Sequence, residues 1–161
     1  MKIFWTILYF VLIGQGCFYF GLVLPRKRFD EYSFPYKSFK WERNGKFYDK
    51  FLVKKWKSHV PDMSIITKLL FPKKVPTNIT SQEVDRLIKE SCVAEMIHYI
   101  LCMLSIGFFR IWRGKTGVIL SALYFLGNLP YIMIQRYNRP NFISLRERLK
   151  LREERTANAN S

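Results

Sequence analysis

Residues 92–134, CVAEMIHYILCMLSIGFFRIWRGKTGVILSALYFLGNLPYIMI, decide the architecture. From Cys92 to Phe109 the run is apolar except for Glu95 and His98, and Arg110, Arg113 and Lys115 close it. A second apolar run follows from Thr116 to Ile134, with Gly127-Asn128-Leu129-Pro130 expected to break it near its end. So short a connection makes the two runs an antiparallel helical hairpin. Each is close to the lower length limit for crossing a hydrocarbon core about 30 Å thick, so a spanning hairpin and a partial dip both remain open.

Upstream, Thr80-Ser81-Gln82-Glu83 has the pattern of a capping box and predicts a helix from residue 80, amphipathic at first and apolar from Cys92 onward. At the other end of the chain, Ile3 to Leu24 carries no charge and is long enough to cross a bilayer. Pro25 ends it and Arg26-Lys27-Arg28 follows, which places that end in the cytoplasm by the positive-inside rule. A cleaved signal would have a shorter apolar region and small residues at the cleavage site, so residues 3–24 read as a retained, signal-like anchor. The cations at the hairpin tip oppose this orientation. They are outnumbered, because Arg26 to Lys74 holds 14 Lys or Arg against 5 Asp or Glu, a net of +9.

That basic segment, residues 26–79, is interleaved with Phe29, Tyr32, Phe34, Tyr36, Phe39, Trp41, Phe47, Tyr48, Phe51 and Trp56. Aromatic rings and long cationic side chains both favour the headgroup level, so the segment reads as lying on the cytoplasmic membrane surface. Trp41 to Lys57 is expected to be partly helical, interrupted at Asn44-Gly45 and stopped at Pro61-Asp62. After the hairpin, residues 141–161 form a basic tail with an amphipathic helix around Leu145 to Arg155.

The whole composition agrees with this segregation. The chain has 161 residues, 49% hydrophobic and 17% aromatic, with a net charge of +15. A soluble domain of that size would struggle to bury so much apolar surface. Nucleic acid is a poor fit for the charge, because the basic blocks abut apolar spans instead of covering a soluble face. Cys17, Cys92 and Cys102 show no paired spacing and read as small apolar residues, with neither disulfide nor zinc implied. The expected fold is an all-α membrane protein forming a single domain: an N-terminal transmembrane helix, a basic aromatic interfacial segment, a transmembrane hairpin (92–109 within a helix spanning 80–109, then 116–134) and an amphipathic tail.

Hairpin geometry makes one chemical inference possible. The start of its first helix and the end of its second lie at one depth, so Glu95 and His98 are level with Gln135, Arg136, Asn138 and Arg139. Glu95 and His98 are three apart and share a helix face. Ionisable groups at the hydrocarbon edge are costly unless paired or used. In the catalytic reading, His98 is a general base oriented by Glu95, while the guanidiniums of Arg136 and Arg139 grip a phosphate or a developing oxyanion. In the structural reading, Glu95 pairs with Arg136 or Arg139 and pins the hairpin. Glu-x-x-His is also a di-iron pattern, but it needs a second copy on a facing helix, so no metal is expected. No Gly-rich phosphate loop and no Gly-x-Ser-x-Gly elbow is present.

Several strings in this order resemble one family. They are Glu42-Arg43-Asn44-Gly45-Lys46-Phe47-Tyr48, Val53-Lys54-Lys55-Trp56-Lys57 with Pro61-Asp62, Ala94-Glu95-Met96-Ile97-His98-Tyr99, Asn128-Leu129-Pro130, and Gln135-Arg136-Tyr137-Asn138-Arg139-Pro140. Together they resemble the glycosyl-diaponeurosporenoate acyltransferases of the staphyloxanthin-type carotenoid pathway, over about Phe39 to Leu149. Tyr99 and Asn141 depart from that pattern: a member of the family has Trp and Arg at those places. The resemblance implies an enzyme that esterifies a sugar hydroxyl of a membrane-embedded glycosylated carotenoid with a fatty acyl chain, the last step of that pathway. It implies an acyl-coenzyme A or acyl carrier protein donor and no other cofactor. It assigns no catalytic residues. On our own reading of the residues, His98 and Glu95 are the catalytic pair. Arg136, Asn138, Arg139 and Gln135 are the substrate-binding candidates, with Lys54, Trp56, Lys57 and Asp62 shaping the surface approach. The competing expectations are a non-enzymatic membrane partner and an acyltransferase for another glycolipid.

Overall fold

The computed structural model describes residues 2–60, 79–112 and 114–159, with the side chains of Lys2 and of residues 109–111 left aside. Its main elements are α1 (Lys2–Val23), α2 (Val53–Trp56), α3 (Ser81–Ile111) and α4 (Lys115–Ala159). No strand is present among the described residues. Within α1, α3 and α4 lie three stretches long and apolar enough to cross a membrane, one of them near the N-terminus. The fold is that of an all-α membrane protein.

The α3–α4 hairpin is the backbone of the molecule. Thr80 caps α3 as the sequence predicts: its hydroxyl accepts from the Glu83 amide, and Glu83 Oε2 accepts from the Thr80 amide at 2.8 Å. Small buried side chains let the two helices approach closely, with Ser105 and Ser121 both at 0% exposure. Nearer the start of α3, the Cys102 thiol contacts the Phe125 carbonyl at 3.8 Å.

α1 runs antiparallel to α3 and leans on the hairpin. Near one end of α1, Phe10 stacks on Tyr124 with ring centroids 4.2 Å apart and touches Phe108 at 4.9 Å. At its other end, Gly21 sits where a Cβ would come within 3.2 Å of Ile97, so the bare backbone sets the helix spacing. Arg26, just beyond that end, caps the carbonyls of Gly21 and Leu22 in α1 and of Leu24 after it, and forms a paired contact with Glu90 at 2.9 Å.

Two expectations are corrected. α4 does not break at Gly127–Pro130, and the tail helix is not separate: one 45-residue helix runs through Pro130 and Pro140. A proline inside a membrane helix is tolerated where neighbouring helices and side chains take up the freed backbone groups. The region from Trp41 to Lys57 is partly helical and interrupted at Asn44-Gly45 as expected, but it is mainly short 3-10 turns, Lys40–Glu42 and Lys46–Phe51, with only one turn of α-helix in α2. Arg43, Asn44, Gly45 and Leu52 all have positive φ, which reverses the chain twice. At Gly45 this is obligatory on two counts, since φ is +89° and a Cβ would lie 3.1 Å from the Tyr137 carbonyl of α4.

Candidate functional site

Four charged side chains meet where α3, α4 and the basic segment converge. Arg136 Nε and Nη2 form a paired contact with Glu42 at 2.5 and 2.8 Å. Its Nη1 donates to Glu95 Oε1 at 2.5 Å and to the Pro35 carbonyl at 2.9 Å, and Nη2 also donates to the Lys37 carbonyl at 3.1 Å. Those contacts use all five N–H groups of the guanidinium. Arg139 Nη2 lies 2.5 Å from Glu95 Oε2 as an ion pair, and the rest of that guanidinium donates to Ser91 and the Tyr36 carbonyl. Glu95 is completely buried and also accepts from the Tyr99 hydroxyl at 2.8 Å. Two carboxylates therefore balance two guanidiniums, which is the condition for keeping such charges out of water.

The aromatic residues of the basic segment cover this network. Phe39 lies 4.8 Å from the Arg136 guanidinium, and Tyr36 lies 5.6 Å from that of Arg139. A further arginine, Arg146, repeats the arrangement one level out. It pairs with Glu31 and Asp85 at 2.6 Å each, donates to the Tyr32 hydroxyl, and has the Tyr32 ring 5.9 Å away. Part of the interleaved aromatic set is thus turned inward onto α4. Tyr32, Phe34, Trp41 and Phe51 remain exposed, as a surface facing headgroups would be.

Glu42 is the residue that sequence reasoning missed. Burial pushes its carboxyl up, but Arg136, the Tyr48 hydroxyl and the Phe39 amide together hold it below its ordinary 4.5. The converse holds for Tyr48: burial and its hydrogen bond to Glu42 push its hydroxyl well above the usual phenol value. A carboxyl depressed in the folded state contributes stability that is complete above its unfolded value and is lost as pH falls. The melting temperature of detergent-solubilised protein is therefore expected to hold between about pH 7 and about pH 5, then to fall below the ordinary Glu42 value of 4.5. The Glu42→Gln protein should start lower and lose less over that acid range. Equal acid sensitivity of the two proteins would contradict this role for Glu42.

His98 lies one turn deeper in the membrane and has different partners. Its Nδ1 is 2.8 Å from Asn128 Oδ1, and its ring stacks on Tyr131 at 4.5 Å. Asn128 Nδ2 donates to the Tyr124 carbonyl, which can only accept, so the amide oxygen must face the histidine. Nδ1 then carries the proton, and the Nε2 lone pair of the neutral ring has no hydrogen-bond partner among the described residues. Glu95 and His98 do both face α4, as their spacing predicts, but they do not form a pair. Two guanidiniums draw the carboxylate toward the polar end, and a neutral imidazole cannot compete with them.

The remaining candidates are dispersed. Lys57 Nζ donates to Asn138 Oδ1 at 2.7 Å and sits 4.8 Å from the Tyr137 ring, joining the α2 region to α4. Burial, and then repulsion from Lys54, lowers its pKa. Trp56 packs with Tyr48, Val53 and Ile134, and its indole donates to the Phe51 carbonyl. Lys54 is exposed, and Gln135 is half-buried beside Arg136. Asp62, with Pro61, lies outside the described residues. A cleft of about 300 Å³ opens next to the network, lined by Tyr32, Lys37, Asn44, Arg139 and Ser144 among others.

Comparison with known proteins agrees with the strings noted above. Residues 25–148 match the model of the glycosyl-4,4'-diaponeurosporenoate acyltransferase family. The enzyme of that name from Staphylococcus aureus strain bovine RF122 / ET3-1 is 32% identical over 155 residues, covering 94% of this chain and 92% of the relative. Those of strains N315 and USA300 are 31% identical with the same coverage. No solved structure matches. With the match spanning the ion-pair network, the His98 turn and most of α4, the chain belongs to the glycosyl-4,4'-diaponeurosporenoate acyltransferase family and is a membrane acyltransferase.

Proposed function

We propose that the protein transfers a fatty acyl group from acyl-coenzyme A or acyl carrier protein to a sugar hydroxyl of a glycosylated carotenoid, glycosyl-4,4'-diaponeurosporenoate, in the last step of a staphyloxanthin-type pathway. The observation that carries the mechanism is the Asn128-fixed tautomer of His98. Nε2 of His98 takes the proton of the sugar hydroxyl while that oxygen attacks the thioester carbonyl. The new C–O ester bond forms, the C–S bond breaks, and the leaving thiolate recovers the proton from Nε2. The imidazolium formed in between keeps its Nδ1–H bond to Asn128 throughout.

Arg136 and Arg139 serve this reaction as struts. With their donors engaged by Glu42, Glu95, Ser91 and backbone carbonyls, they hold α3, α4 and the basic segment in register. The phosphate-bearing donor approaches from the cytoplasmic face. The excess of Lys and Arg in the Arg26–Lys74 block supports both that orientation and its attraction to an anionic donor. Purified protein in lipid bilayers, given glycosyl-4,4'-diaponeurosporenoate and either donor, is expected to form the sugar ester, detected by mass spectrometry. Absence of ester with both donors would reject the assignment of substrate.

A further inference from the structure

Away from the polar face, a groove of about 530 Å³ lies between α1 and α4, lined by Phe10, Val11 and Gly14 on one side and by Leu120, Leu123 and Tyr124 on the other. It opens sideways toward the bilayer, and the stacked rings of Phe10 and Tyr124 form part of its wall. Leu120, Tyr124, Gly127 and Tyr131 follow one another at helical spacing along a single stripe of α4. Gly127 is exposed, and a Cβ placed on it would meet nothing within 4 Å. No side chain therefore interrupts the stripe between Tyr124 and Tyr131. The lining of the groove ends at Tyr124, and beyond it the stripe continues along α4 to Tyr131, the residue on which His98 stacks.

We propose that this stripe seats the conjugated chain of the acceptor, with its sugar end at His98 and its hydrocarbon running toward the opposite leaflet. The inference rests on the carotenoid reading above. Access selects the occupant. From Tyr131, on which His98 stacks, the stripe reaches Leu120 eleven positions away, about 16 Å along the helix and inside the hydrocarbon core. The acceptor already resides in the bilayer onto which the groove opens, whereas the acyl donor approaches from the cytoplasmic face. A stiff chain also loses little conformational freedom on binding, and it enters from the bilayer through the open side of the groove.

Gly127→Leu tests this, because its Cβ meets no atom within 4 Å, so the side chain extends from open space on the stripe, and leucine favours a helix more than glycine does. Binding is read by quenching of tryptophan fluorescence on adding glycosyl-4,4'-diaponeurosporenoate to protein in lipid nanodiscs, and turnover by ester formation. The variant is expected to bind and use this acceptor about ten-fold more weakly. Its preference among acyl donors of different chain length should be unchanged. Unaltered polyene affinity in Gly127→Leu overturns the proposal. A changed donor chain-length preference also overturns it, by assigning the groove to the acyl tail. If wild-type protein forms no ester, the carotenoid reading fails, and the quenching measurement still decides for or against the groove by the same difference.

Discussion

Replacing His98 with Ala is expected to lower acyl transfer by about 10²- to 10⁴-fold, the range attributable to a positioned general base. The loss should fall on kcat, with the protein still inserted and folded, because His98 is held by one side-chain hydrogen bond and a ring stack and stands apart from the charge network. Asn128→Ala should give a smaller loss in the same parameter. Without the amide, either imidazole nitrogen can carry the proton, and only the Nδ1–H form leaves Nε2 as the base. Asn128→Asp keeps an acceptor at Oδ1 and should recover part of the rate while shifting the acid limb of the pH–rate profile to higher pH, because a carboxylate stabilises the imidazolium. A merely structural Asn128 would leave that limb in place. Wild-type turnover by membrane-inserted His98→Ala protein would remove the histidine from the mechanism.

Glu95→Ala is expected to be among the most destabilising single substitutions in the chain. The change leaves Arg136 with Glu42 alone and takes from Arg139 the carboxylate it pairs with, and removing one partner of a buried pair costs about 3–5 kcal/mol. For a chain of this length that corresponds to a drop in melting temperature on the order of 10 °C. Arg136→Lys should be nearly as damaging despite conserving charge, because three donors on a flexible stem cannot replace five in a planar fork. The measurement is thermal unfolding in a fixed detergent, with the Glu95→Ala, Arg136→Ala double variant completing a cycle. The double variant should lose much less than the sum of the single losses. Additive losses, or a Glu95→Ala protein that melts with wild type, would contradict the network as drawn. These variants also separate strut from catalyst, since any protein that does fold is expected to retain His98-dependent turnover.

The charge network explains why a strongly basic segment contains a buried acid. Glu42 could have been suspected as an isolated carboxylate in a cationic, aromatic stretch, followed by Asn44-Gly45 where the chain must turn. Its partner could not, because Arg136 is 94 residues away along the chain. Arg146 was likewise hidden in a tail that reads as a uniformly basic amphipathic helix. Only the approach of Glu31 and Asp85 from two other segments shows that this one cation is turned inward.

By itself the sequence determined depth. Apolar run length, a fixed rise per residue and a short turn place Glu95 level with Arg136 and Arg139 however the helices rotate, and that level is where they meet. The tertiary structure decided direction around each helix axis and the choice of partner. Glu95 turns to the guanidiniums and not to His98, Asn128 takes over the imidazole, and Pro130 lies inside a continuous α4 and does not end it. Those outcomes depend on side chains from distant segments competing for the same few buried positions, and periodicity within one helix carries no information about that competition.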